Sequence, residues 1–120
     1  MKIPQVLILD DDRIQHILLQ KRFSQFEPQP QVTFFERAVF ALDFLKENSA
    51  DMILLDLNLP EMDGWEFVNE LKKLETKGKV FVLSGSIDPK EKNLINEDPF
   101  IKGQFEKPLS QLDLEMMMEH

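Results

Sequence analysis

The 120-residue chain contains no cysteine. That excludes disulfides and thiolate metal sites, and it suits a reducing compartment. No apolar run approaches the roughly 20 residues that a transmembrane helix needs. The first dozen residues, MKIPQVLILDDD, hold a short apolar run that ends in three acids rather than at a small-residue cleavage site. They do not read as a signal peptide. Positive charge is scarce: 14 Lys and Arg stand against 22 Asp and Glu, for a formal net charge of −8. Such a surface disfavours phosphate backbones, so nucleic-acid binding by this chain is not expected. The expectation is a cytoplasmic protein with no membrane partner.

What is present suits one globular unit. The composition is 42% hydrophobic and 30% charged, which is neither disordered nor fibrous. A length of 120 residues matches one core, with no sign of a linker, repeat or low-complexity segment.

The organising stretch is Met52 to Gly64, MILLDLNLPEMDG. Four apolar residues run into Asp56, and the turn formers Asn58, Pro60, Asp63 and Gly64 follow. A short continuous apolar run bounded by turn signals predicts a strand buried on both faces of a parallel sheet. Asp56 then stands at the carboxyl end of that strand, the edge where open α/β sheets bind ligands.

The rest alternates around it. Gln5 to Leu9 predicts a first strand, followed by Asp10, Asp11 and Asp12, with Asp12 as helix cap. Ile14, Ile17 and Leu18 share one helical face, and Phe23 and Phe26 come near its end. Val32 to Phe35 predicts a second strand; Ala38, Ala41, Leu42 and Leu45 mark a second helix. After Gly64, Phe67, Val68, Leu71 and Leu74 mark a third helix closing near Gly78. Val80 to Leu83 is a fourth strand ending in Ser84-Gly85-Ser86, and Asp88-Pro89 opens a short polar helix that Asp98-Pro99 ends. Ile101 to Phe105 is the weakest strand, since it holds Gly103. Ser110 to Asp113 spells a capping box before a last helix whose methionines read as core or frayed end. Five βα units with short connections imply a doubly wound α/β fold: a parallel sheet with helices on both faces.

In that fold Asp10/Asp11, Asp56, Ser84 and Lys107 come to one edge. Three carboxylates converging there repel one another unless a cation joins them. Oxygen ligands suit Mg²⁺, which shares its shell with phosphate. A hydroxyl at Ser84 and an ammonium at Lys107 are the donors that the oxygens of an acyl phosphate need. Taken alone, Asp10 to Asp12 are more often helix caps, Ser84 a turn residue and Lys107 a surface lysine. Asp56 resists such a reading, because an acid directly after four apolar residues costs solvation unless it is used. The joint placement of all four sites at strand ends makes coincidence a poor explanation.

The pieces LILDDD, LLDLNLPEMDG, VLSGS and EKP, in this order and spacing, closely resemble the receiver (CheY-like) domain of bacterial two-component response regulators, over essentially the whole chain. The resemblance implies a flavodoxin-like (βα)5 fold with strand order 2-1-3-4-5, one receiver domain over residues 1–120 and no effector domain. It implies a signalling domain rather than an enzyme with an external substrate. Asp56 would accept a phosphoryl group from a histidine kinase or a histidine phosphotransfer protein. Asp11, Asp56 and the backbone carbonyl of Asn58 would bind Mg²⁺, with Asp10 acting through water. Ser84 would hydrogen-bond the phosphoryl group and Lys107 would pair with it. Asn58 and Ser86 would tune its lifetime. The kinase would dock near the first helix, at Ile14 or Ile17, and an output protein would read the face of the fourth helix, fifth strand and fifth helix.

Three positions depart from the family's common pattern. Gln104 occupies the place, three before the lysine, where many members carry Tyr or Phe. Asp98-Pro99 replaces a small-residue segment before the fifth strand, and Ser84 stands where Thr is commoner. The competing reading is a phosphohydrolase resembling the haloacid dehalogenase superfamily. Asp10 would be its nucleophile and Asp12 its acid/base. It leaves DLNLPEMDG unexplained and leaves almost no chain for a substrate cap.

Overall fold

Apolar runs of four to six residues have no solvent face to offer, so the strands they form need helices on both sides. The computed structural model describes residues 3–59, 62–85 and 88–119, and meets that need by alternating strands and helices. The strands are β1 (Gln5–Leu9), β2 (Gln31–Phe35), β3 (Met52–Asp56), β4 (Lys79–Ser84) and β5 (Ile101–Glu106). The helices are α1 (Arg13–Phe23), α2 (Ala38–Glu47), α3 (Gly64–Lys73), α4 (Pro89–Glu97) and α5 (Gln111–Glu119). All pairs are parallel, in the order β2-β1-β3-β4-β5, so the doubly wound, flavodoxin-like topology is as expected.

Alternation along the central strands divides the core into two layers. Leu9, Leu55 and Val82 face α2, α3 and α4, where Ala41, Leu71 and Ile95 meet them. Ile8, Leu54 and Leu83 face α1 and α5, against Phe23 and Leu114. β3 is buried along its whole length, Asp56 included.

Helix ends follow the sequence signals. Asp12 caps α1 by accepting from Ile14 N–H at 2.9 Å, and Asp88 caps α4 by accepting from Glu91 N–H at 2.8 Å. Ser110 and Asp113 exchange reciprocal side-chain to backbone bonds of 3.0 Å, a complete capping box.

Three local features add detail that the sequence pattern left open. The apolar face of Ile14, Ile17 and Leu18 points outward, and α1 is anchored by Leu19 and Phe23. Helix α3 stops at Lys73, short of Gly78, because Glu75 takes a left-handed conformation (φ 56°). The Glu75 and Thr76 N–H groups then bond back to the carbonyls of Lys72 and Leu71, closing the helix as a Schellman motif. Strand β5 carries a register shift. Val80 pairs with Ile101, but Phe81 pairs with Gly103, so Lys102 is an extra residue.

Candidate functional site

The carboxyl ends of β1, β3, β4 and β5 bring the expected residues together. Asp10 continues β1 by one step, its N–H donating to the Phe35 carbonyl at 3.0 Å. That turns its side chain inward, fully buried, where Oδ1 accepts from Asp12 N–H at 2.9 Å. Asp11 is exposed. Asp12 is engaged as the cap of α1, as its position before the helix predicts.

Asp56 ends β3, paired with Leu83. Its Oδ1 accepts from Asn58 N–H at 2.9 Å. Beyond it Asn58 bridges Asp63, and Gly64 N–H donates to the Leu57 carbonyl at 3.1 Å. A Cβ at residue 64 would lie 2.6 Å from Leu57 Cα, so only glycine permits this approach. Pro60 and Ser86 lie outside the described residues.

Ser84 ends β4 and is buried. Lys107 follows β5, and its N–H donates to the Ser84 carbonyl at 2.8 Å, which ties the two strand ends together. From there Lys107 Nζ reaches Asp56 Oδ2 at 2.8 Å and Asp10 Oδ2 at 2.7 Å. The second contact is an ion pair off hydrogen-bond geometry, so Asp10 Oδ2 has no directed donor among the described residues.

Burial pushes the Asp10 carboxyl above its ordinary pKa, against the opposing pull of Lys107 and the Asp12 N–H. Burial also works to lower the Lys107 ammonium. Its close pairing with the carboxylates of Asp10 and Asp56 outweighs that and holds it above the ordinary value. Carboxylate oxygens of Asp10, Asp11 and Asp56 all lie within 4.8 Å of one another. An oxygen-only donor set containing a buried oxygen with no directed donor fits a hard divalent cation. An open depression of about 560 Å³, lined by Asp11, Asn58, Asp63 and Glu66 among others, gives access from solvent. A larger cavity of about 660 Å³ lies at the amino ends of β3 and β4, away from these acids.

One residue had no signal in the sequence. His16 Nε2–H donates to the Asp10 carbonyl at 2.6 Å, and its ring stacks on Phe34 at 4.7 Å. It pins the backbone that aims Asp10. Only its place on the first turns of α1 could have pointed to it.

Residues 6–119 match the family model described as response regulator receiver domain. The chain is 33% identical over 106 residues to the autoinducer 1 sensor kinase/phosphatase LuxN of Vibrio campbellii, covering 88% of this chain and 12% of that protein. It is 29% identical over 109 residues to the chemotaxis protein CheY of Halobacterium salinarum, covering 87% and 88% of the two chains. A two-component response regulator from Cytophaga hutchinsonii superposes with a TM-score of 0.84 at 24% identity, over 99% of this chain and 96% of that one. The chain belongs to the response regulator receiver domains of two-component systems, a signalling family. It spans about an eighth of the length of LuxN and about a fifth of a methylesterase relative from Treponema denticola.

Proposed function

We propose that this chain is a phosphorylation-controlled switch and that Asp56 is its phosphoacceptor. The observation that carries this is the Asp56 carboxylate between a cation-binding set and an ammonium: Asp10 and Asp11 on one side, Lys107 Nζ at 2.8 Å on the other. Residues 1–120 act as one receiver unit.

A carboxylate oxygen of Asp56 attacks the phosphorus of a phosphohistidine on a sensor kinase or phosphotransfer protein. The P–N bond breaks, and the leaving imidazole takes up a proton from water. Hydrolysis of the acyl phosphate resets the site. Asp11, Asp56 and the Asn58 carbonyl would hold Mg²⁺, with Asp10 acting through water. Bound there, it offsets the negative charge gathering on the transferring oxygens. Lys107 follows the new charge, and the Ser84 hydroxyl donates to a phosphoryl oxygen. Its carbonyl is already bonded to Lys107 N–H, so Ser84 and Lys107 respond together.

The outward apolar face of α1 supports kinase docking there, since Ile14 and Ile17 are 67% and 70% exposed beside the site. Exposed Leu94 on α4 and Leu112 on α5 support an output face there. The test is intact mass after incubation with acetyl phosphate and Mg²⁺. A single phosphoryl adduct is expected on the wild type and none on Asp56→Asn. A persistent adduct on Asp56→Asn overturns the assignment.

A further inference from the structure

We propose that Gln104 is a positioning residue that couples this site to α4, through a side-chain hydrogen bond to Lys92 that the resting state leaves unmade. The inference rests on the phosphoacceptor reading above.

Gln104 pairs with Val82 of β4, and Val82 shares its core layer with Ile95 of α4, so Gln104 faces α4. Ser84 lies two residues further along β4 and therefore on the same face. Gln104 Oε1 is buried and accepts no hydrogen bond among the described residues. A buried amide oxygen without a donor is a standing penalty, and native proteins keep few of them. An arrangement that gives it a donor is relieved of that penalty.

That donor is at hand. A cavity of about 280 Å³ between α4 and β5 is lined by Lys92, Gln104, Phe105 and Glu106. Lys92 is exposed on α4 and joins no ion pair among the described residues. Its ammonium carries three donors. Space to turn into, an orphan acceptor and a free ammonium thus meet at one seam. When Ser84 is drawn to the phosphoryl group, α4 moves over β5 and Lys92 Nζ caps Gln104 Oε1. The bond favours the shifted α4 by roughly tenfold, the ordinary worth of satisfying one buried acceptor.

The experiment compares backbone amide shifts of the whole chain with and without fluoroberyllate, a phosphoryl mimic, in the presence of Mg²⁺. Fluorine NMR reports its binding. Wild type, Gln104→Met and Lys92→Met should all bind it and shift near Asp56. Only the wild type should show the full α4 response. The double variant should lose no more than either single one, as expected of partners in one bond. Without ligand, Gln104→Met should be the more stable protein, while Lys92→Met should match the wild type. Gln104→Glu should restore the α4 response when Lys92 is present and not in Lys92→Met. A full α4 response in Gln104→Met or in Lys92→Met, with fluoroberyllate bound, overturns the inference alone. Failure of the wild type to bind fluoroberyllate overturns the phosphoacceptor reading and this inference with it.

Discussion

The ammonium of Lys107 lies 2.8 Å from Oδ2 of Asp56, so the residue assigned as phosphoacceptor is ion-paired before any phosphoryl group arrives. The same ammonium sits 2.7 Å from Asp10. It holds two carboxylates apart in charge while holding them together in space.

Replacing Lys107 with Met should therefore destabilise the cation-free protein, by about 1–3 kcal/mol, because two nearly buried acids lose their shared counter-charge. Added Mg²⁺ should recover more stability in the variant than in the wild type. Denaturant midpoints with and without Mg²⁺ check this, and equal midpoints for both proteins would sink the idea. The pH dependence follows the raised pKa of Lys107. Its contribution is complete below the ordinary value of 10.5 and is lost as pH rises through the folded value above it.

Asp10 works in the opposite sense. Burial makes it bind its proton more tightly in the fold than in the unfolded chain. As pH rises from its ordinary value of 3.8 through the folded value, the native state holds more protons than the unfolded one, and stability falls. Asp10→Asn should flatten this part of the stability curve and leave the cation-free protein more stable than the wild type at neutral pH. Urea melts across that range measure it; an unchanged slope would count against burial as the cause.

Gly64→Ala should cost about 1–3 kcal/mol or more, since its Cβ would meet Leu57 backbone rather than a yielding side chain. Leu57 must then move away from residue 64 and carry Asn58 with it, so Mg²⁺ affinity should fall together with stability. Titration followed by Trp65 fluorescence, the indole being one residue on, reads the first; thermal melts read the second. Wild-type values in both would refute the steric account.

Glu75→Gly should stabilise the fold by about 0.5–1 kcal/mol. Its left-handed conformation closes α3 at a cost that glycine does not bear. A lower melting temperature for this variant would show that the Glu75 side chain contributes more than its backbone strain costs.

The order of elements, the sheet edge and the gathering of Asp10, Asp11, Asp56, Ser84 and Lys107 were legible in the sequence, because continuous apolar runs and strand-end polar residues report burial and topology directly. Asp12 as cap was equally plain from its position before the helix. The outward turn of Ile14 and Ile17 came from the family resemblance, not from their spacing. An apolar stripe marks a helical period, but not which side the sheet lies on; Leu19 and Phe23, four apart, are the residues that settle it. His16 left no trace at all, since its role is a bond to a backbone carbonyl that no spacing encodes.

The extra residue in β5 bears on how such a domain can change over time. With Lys102 inserted, Gln104 falls opposite Val82 and Phe105 opposite Leu83. A strand paired without it would carry Phe105 to the α4 side and Gln104 into the layer beneath α5. One residue of slippage thus exchanges an amide for a benzyl group at the seam with α4, with no substitution at either position. Re-pairing the strand, rather than deleting Lys102, is therefore what would trade the polar seam for an aromatic one, and the same slip would carry Lys107 one step past Ser84 while the acids of β1 and β3 stay where they are.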